Sequence, residues 1–582
     1  MITPLPPHWP CCEHGATASD PGSCRGRVVE PHSLCLAHLQ AAERTAYFDG
    51  LTAGADVDHR GTSFDDRLLS QLLDAVRDPV SGRPHFGDAS FSLATFVGKA
   101  AFDRVTFSGR ARFRQATFSA DAEFWEVAFS DEAGFFGVTF SADAGFVRAS
   151  FAGTACFDGT TFASRARFID ATFSGIAAFR EAKFSAKAEF AGATFCHDTK
   201  FHGATFSDGV EFRKATFETA SFIGPLICHG LLDLYEASFA GPTTIEAATA
   251  QLRCQRSRWA STAHLRLRYA TVDLTDANFE YPMSVSARPS PLQFHALSAN
   301  EDGFASQNPR VRVASVSGVD AAHLVLTDID LSECQFTGAV HLDQLRLEGR
   351  CSFNPTPPGL FWRGLLPTRC SPRRTLVEEH HWRASVGQAG WTPAPARTDV
   401  VGPTTLTPVY RQLRKSLEDG KNEPDAADFY YGELDMRRHD HERPISERAL
   451  LTAYWALSGY GLRASRALGC LLAAMAVTVL TMMLWGLARD DPKPVSTGTI
   501  HGRRITITTD VPDPVNLDGP YEDRLSTERF EKSLRVVINS VFFRSSGQDL
   551  TTTGTYIEMT SRLAEPVLVG LAALAVRSRV KR

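Results

Sequence analysis

Cys11, Cys12, His14, Cys24, Cys35 and His38 cluster near the start of the chain, partly as the tight pairs Cys12-x-His14 and Cys35-x-x-His38. Zinc takes four tetrahedral nitrogen or sulfur donors, and short pairs of this kind can hold two donors on one turn or knuckle. The spacing matches no common zinc finger. The expected ligands are Cys12, Cys24, Cys35 and His38, holding a structural zinc, with Cys11 or His14 as substitutes. The competing reading is a set of free thiols in a flexible head. A closed four-ligand site leaves no open position for substrate, so no catalytic role is expected.

Other chemistry-bearing clusters fail on context. Glu378-Glu379-His380-His381 and His439-Asp440-His441 lack metalloprotease spacing and a nucleophile partner, so they read as solvated helix faces. Gly459-Tyr460-Gly461 has no βαβ unit around it and precedes the apolar span beside it. There is no phosphate-binding GxxxxGK[ST] loop, and no enzyme class is supported. One ion-handling candidate remains. Thr551-Thr552-Thr553-Gly554-Thr555-Tyr556 sits between an amphipathic stretch (Phe530 to Phe543) and an apolar one, the order of a two-span pore domain. Thr552, Thr553 and Gly554 are its candidate pore segment. It lacks the second glycine of a carbonyl-lined filter, and the competing reading is a two-helix anchor.

The elements that must position these residues are set by a phenylalanine ladder. From Phe91 to Phe217 a phenylalanine recurs alternately at every fifth or sixth position for 24 members, and 18 of them have alanine two places earlier. A strict short period means a solenoid, which presents long surfaces rather than clefts. On an α-helix an i, i+5 pair is rotated by about 140° net, so the rings would face apart. Thr, Ser and Gly recur beside the rings, and A-x-F alternates inward and outward, which is strand periodicity.

At Ala111-Arg112-Phe113-Arg114-Gln115 and Ala122-Glu123-Phe124-Trp125-Glu126 the chain resembles the pentapeptide-repeat family. That resemblance implies a mainly β fold, a right-handed, four-sided β-helix. Two eleven-residue units would make one coil with four inward rings, and Phe91, Phe113 and Phe135 would share a column while Phe102 starts another. An eleven-residue, two-sided coil is the alternative. Members are often proposed to mimic nucleic acid, yet Asp88 to Glu218 holds 16 acids and 14 bases, a net of −2. Nucleic acid is therefore not the expected partner; an unidentified protein on the β-helix surface is.

Ala467 to Ala488 carries no charge and is long enough to cross a hydrocarbon core of about 30 Å. A second span is expected at about 556–576, although it must accommodate Glu558, Arg562 and Glu565. Arg437, Arg438, Arg443, Arg448, Arg463 and Arg466 precede the first span, and Arg577, Arg579, Lys581 and Arg582 follow the second. Basic flanks stay inside, which puts the amino-terminal bulk and the carboxyl terminus in the cytoplasm of a multi-pass protein of the inner (cell) membrane. No signal peptide is recognised.

The expected order is a Cys/His head (1–45), a helical connector (46–87), the β-helix (88–355, with loops near 242–262 and 280–310), a Pro-rich linker (356–404), helices (405–462) and an α-helical two-span membrane domain (463–582). The block Ala427 to Pro444 would lie at the membrane interface or form a cytoplasmic hairpin. The combined pattern resembles bacterial pentapeptide-repeat membrane proteins of unassigned activity. It implies a membrane-anchored, non-enzymatic scaffold, or alternatively an ion-channel-like protein with a cytoplasmic β-helical regulatory domain. A homo-oligomer is left open.

Overall fold

The computed structural model describes residues 8–15, 24–219, 221–294, 297–298, 301–363, 366–396, 398–489, 493–502, 504–542 and 549–580. Phe543, Lys581 and Arg582 lie outside the described residues. The chain divides into two compact units, Met1–Val401 with Gln412–Lys421, and Gly402–Arg411 with Asn422–Arg582.

The first unit is a parallel β-solenoid. Each coil holds four two-residue strands, such as Ala111–Arg112, Thr117–Phe118, Ala122–Glu123 and Ala128–Phe129. Each strand pairs in parallel with its equivalent two repeat units ahead: Ala111 with Ala133, Thr117 with Thr139, Ala122 with Ala144, Ala128 with Ser150. The rings follow this register. Phe113 stacks on Phe91 at 5.2 Å and on Phe135 at 5.0 Å, while Phe102 stacks on Phe124 at 5.0 Å. Neighbouring columns meet edge to face, as Phe102 and Phe113 do at 84°. The coil thus holds two eleven-residue units and four inward rings, and the single-unit, two-sided coil is excluded. The residue two places before each ring, alanine in 18 cases and Val or Thr in the other six, is buried as well, so the small residue and the ring fill the coil together.

The alternation of five and six comes from two kinds of corner. The five-residue step turns through a left-handed residue two after the ring, as at Gln115 (φ 54°) and Glu126 (φ 53°), closed by Ala116 N–H donating to Phe113 O at 2.9 Å. The six-residue step has one more residue with which to turn, and between Phe96 and Phe206 its corners contain no left-handed residue. From Ser238 onward the register shortens by two residues, with Ser238 opposite Arg258 and Arg258 opposite Asn278. Here two faces merge into the long strands Ser221–Asp233 and Thr243–Arg253. Residues 242–262, expected as a loop, are therefore solenoid. Between Met283–Ala287 and Val311–Ser315 the described residues include a separate antiparallel pair, Gln293–Phe294 with Leu297–Ser298, and the short turn Asp302–Phe304.

Carboxylates on the outside staple successive coils. Asp88 accepts from Arg110 N–H at 2.8 Å and Asp158 from Arg180 N–H at 2.8 Å, each one coil further along. Arg104 and Arg148 flank Glu126, and Lys187 pairs with Glu211. These acids are engaged within the rod.

A β-stack must be closed at its ends or it presents unpaired edges. At the amino end α1 (Ala41–Asp49) precedes the strands Ala55–Asp58 and Ser63–Phe64, which already pair with His85–Ser90 and Thr95–Phe96. α2 (Asp66–Ala75), capped by Asp65 accepting from Leu68 N–H at 2.7 Å, buries Leu68, Leu69, Leu72 and Leu73. The expected helical connector of 46–87 holds strands as well as helices: Ala55–Asp58 and Ser63–Phe64 begin the stack, and α2 follows them. His59 lies under this end, bonded to Tyr47 Oη at 3.1 Å, and burial lowers its pKa to about 4.

At the other end 356–404 is not simply a linker. α3 (Val377–Ser385) buries Glu378, Glu379, His380 and His381, which corrects their reading as a solvated face. Glu378 Oε1 accepts from Phe336 N–H at 2.5 Å and Thr337 N–H at 3.0 Å, standing in for the carbonyls of a next coil. Glu379 is held between Arg373 (2.5 Å) and Arg383 (2.6 Å).

The second unit is mainly helical, with one antiparallel hairpin, Val495–His501 paired with Arg504–Asp510. α4 (Pro403–Asp419) brings Tyr410 against Gly432 of α5 (Glu423–His439), so close that a β-carbon there would overlap the ring. Glu433 bonds Arg411 and Arg437, and Asp435 bonds Arg438 and the Tyr460 hydroxyl. Asp440 is likewise buried, whereas His441 is exposed. The aromatic and charged block is therefore mostly helical core, packed on α6 (Ile445–Ser458) through Trp455 Nε1 donating to Tyr431 Oη at 2.9 Å.

α7 (Ala464–Thr481) continues as a π-helical turn, Met482–Gly486. After a single turn, α8 (Tyr521–Arg524), come α9 (Thr527–Phe542) and α10 (Thr552–Val580). α7 and α10 run antiparallel: Ala464 and Ala467 pack with Ala572 and Ala575 at one end, and Gly486 meets Gly554 at the other. Within α10 Glu565 accepts from the Thr478 hydroxyl at 2.9 Å and Glu558 pairs with Arg562 at 2.7 Å. Ala464–Gly486 and Thr552–Arg577 are each long and apolar enough to cross a membrane.

The stack predicts a sharp contrast between inward and outward aromatics. Phe146→Ala should lower stability by about 3–5 kcal/mol through the cavity it leaves. Trp125→Ala, on an outward side chain that is 43 % exposed, should cost far less. Denaturant midpoints of the two variants check this; equal losses would contradict the stacked core.

Candidate metal centre

The head folds as short antiparallel bridges, Cys11 with Arg27 and Val28 with Cys35, followed by one turn in which His38 N–H donates to Cys35 O at 2.9 Å. The turn brings the Cys35 and His38 side chains to one side. Cys12 is tied in from the other strand by its N–H donating to Gly26 O at 2.8 Å. The ligand atoms of Cys12, Cys24, Cys35 and His38 all lie within 4.8 Å of one another.

Three of their six edges are close to those of a tetrahedral site, and all six lie within 4.8 Å. Cys24 Sγ and Cys35 Sγ are 3.8 Å apart; His38 Nδ1 lies 3.4 Å from Cys12 Sγ and 3.3 Å from Cys35 Sγ. A tetrahedral ion with bonds of about 2.3 Å to sulfur and about 2.0–2.1 Å to nitrogen sets S–S edges of about 3.8 Å and S–N edges of about 3.5 Å. The donor set fits such an ion. Burial, then the neighbouring Cys24 and Cys12, push the Cys35 thiol up to about 12, and burial raises Cys24 too. The Cys24 and Cys35 thiols therefore resist ionising by themselves, and a bound cation reverses that preference. Burial lowers the His38 pKa, with His14 and Arg44 adding to it, which keeps a ring nitrogen available to a metal.

The substitutes fall outside the set. Cys11 Sγ turns to Trp9 O at 3.3 Å, and His14 stacks its ring on His38 with centroids 3.9 Å apart. Gly26 is required by close approach, since a β-carbon there would meet Cys35 Cβ at 2.7 Å and Sγ at 2.8 Å. The head is also docked rather than loose: Arg27 N–H donates to Arg60 O, its guanidinium pairs with Asp58 at 2.7 Å, and Arg60 lies over Trp9. It covers the first coil.

Thr552, Thr553 and Gly554 form no extended filter. They open α10, with Thr551 as its cap: Gly554 N–H donates to Thr551 Oγ1 at 3.1 Å, and that hydroxyl donates to Trp485 O at 2.8 Å. A helical first turn points carbonyls along its own axis, so these three residues cannot ring an ion with backbone oxygens. Gly459, Tyr460 and Gly461 are a left-handed turn between α6 and α7. Reading the sequence missed two groups that the structure makes important. Glu378 caps the stack by accepting from Phe336 and Thr337, and its local sequence does not mark it. Arg529 of α9 donates to Met483 O at 2.8 Å and Leu487 O at 3.1 Å, closing the end of the first span. Nothing in its local sequence marks it.

Residues 83–128 match the family model for pentapeptide repeats (9 copies), so the chain carries pentapeptide repeats in the ladder where the resemblance was read. No curated protein and no solved structure matches the chain.

The geometry predicts one equivalent of divalent metal per chain by elemental analysis of the purified protein. Cys35→Ser should abolish it, while Cys11→Ser should leave it intact. Equal metal content in the three proteins would contradict the assignment of Cys12, Cys24, Cys35 and His38.

Proposed function

We propose that the protein is a membrane-anchored, non-enzymatic scaffold whose pentapeptide-repeat rod offers a protein-binding surface at the cytoplasmic face of the cell membrane. The observation that carries this is the antiparallel pair α7 and α10, each long and apolar enough to span. Arg463 and Arg466 stand at the start of α7, at the same end of the pair as Arg577. Basic flanks are retained in the cytoplasm, which orients both termini inward. The rod supports a binding role because its interior is filled with rings and its charges are paired along its own surface. Recognition then falls to outward rows, of which Trp125, Val147, Ile169 and Ala191 form one, a coil apart from each other. The metal at Cys12, Cys24, Cys35 and His38 is zinc in this reading, a structural clamp on the first coil with no catalytic part.

A second reading, an ion-channel-like protein, has one observation in its favour. α9 lies along the first span, with Leu534 and Val537 packed on Met475, Val479 and Met483. The helical state of Thr552 to Gly554 weighs against it, and a pore would require a homo-oligomer.

The intact chain should stay with membranes through an alkaline carbonate wash, and deletion of 464–486 should release it. Protease added to sealed inside-out vesicles should digest the rod. Release of the intact chain by carbonate would overturn the anchor, and protection of the rod would overturn the orientation. Reproducible ion-selective flux in liposomes would favour the second reading over the pure scaffold.

A further inference from the structure

α6 has two unlike faces. One packs inward, through Leu451, Tyr454 and Trp455, against Tyr431, Leu434 and Tyr460. The other carries Ile445, Ala449, Leu450, Ala453 and Ala456; of these Ile445 is 82 % exposed and Leu450 71 %, and the three alanines are exposed or nearly so. Positions 445, 449, 453 and 456 follow helical spacing, so the apolar side chains form one stripe rather than a scatter. No described residue of the second unit covers it.

Length and charge say what does. α6 has 14 residues, about 21 Å at 1.5 Å per residue, too short to cross a hydrocarbon core of about 30 Å. It ends at the left-handed turn Gly459 to Gly461 and is followed closely by α7, whose Leu468 and Leu472 are also exposed. The stripe is therefore continuous along the chain with the apolar surface of the first span. The one acid of α6, Glu447, is paired with Arg443, and from Arg448 to Ala488 the sequence holds Arg448, Arg463 and Arg466 and no Asp or Glu, a composition suited to anionic lipid headgroups.

We propose that α6 is an interfacial helix, lying in the plane of the cytoplasmic leaflet with Ile445, Ala449, Leu450, Ala453 and Ala456 immersed at the boundary of headgroups and acyl chains. The inward face keeps Trp455 and Tyr431 in the helical core, so α6 joins that core to the bilayer surface. This places the membrane contact one helix later than the aromatic block of α5. The proposal rests on α7 being a membrane span, and the test separates the two.

A photoreactive phenylalanine analogue (benzoylphenylalanine) is incorporated at Leu450 of the full chain, or at Leu472 of α7 as the reference position. Each protein is reconstituted in liposomes of phosphatidylcholine and phosphatidylglycerol, irradiated and examined by mass spectrometry. The expected result is lipid adducts at both positions, with the adduct at 450 lost when Ile445→Asp and Ala453→Asp are introduced and the adduct at 472 retained. Lipid adducts at 472 without any at 450, or adducts at 450 to a second copy of the chain, would overturn the interfacial helix alone. Absence of lipid adducts at 472 would overturn the spanning reading of α7 and the proposal with it.

Discussion

Four phenylalanine rings must share the cross-section of each coil, and the rest of the first unit follows from that. The rings can all be buried only if each column repeats at one coil length, which fixes the register at two eleven-residue units along the ladder. Burying one such side chain contributes roughly 1.5–3 kcal/mol, and ring pairs add about 0.5–1.5 kcal/mol. Against this, left-handed corners at non-glycine residues such as Gln115 and Glu126 cost about 1–2 kcal/mol each. The rings outweigh the corners, so strained turns are tolerated coil after coil. Where the ladder thins beyond Phe217, faces merge into long strands and the register shortens.

A stack built this way is vulnerable only at its ends. Both are closed by different chemistry. The amino end uses a helix with four buried leucines and a docked head whose donors fit a tetrahedral ion. The carboxyl end uses a buried carboxylate that accepts the last backbone N–H groups, itself steadied by the Arg373–Glu379–Arg383 cluster. His380 lies beside this cluster with its pKa lowered to about 4 by burial, so it is neutral where the cap forms. The Cys/His site and the Glu/His cluster, which looked like unrelated chemistry, both sit at the ends of the same solenoid.

How much of this was legible in the sequence depends on range. The Phe columns, the Cys/His donor set and both apolar helices were readable because each rests on local periodicity, short pairs or length. The caps were not. Glu378 and Glu379 look like a solvated face until the chain end of a solenoid is placed beneath them, and burial of a carboxylate has no local signature. The same holds for Glu433 and Asp435: besides Arg437 and Arg438 of their own helix they are bonded by Arg411 and the Tyr460 hydroxyl from separate parts of the helical unit. Thr552 to Gly554 misled in the opposite sense. Threonine and glycine suit a filter, but the threonine before them suits a helix cap, and packing of Gly554 on Gly486 decided for the helix.

The claim on which this account turns is that the rod is one stack closed at both ends, and amide hydrogen exchange on the intact protein tests it most directly. The account predicts that the amides of Phe336 and Thr337, held by Glu378, exchange as slowly as those of Phe146 and Phe168 in the middle of the ladder. Exchange at Phe336 and Thr337 as fast as in exposed turns, with protection fading progressively toward that end, would contradict it.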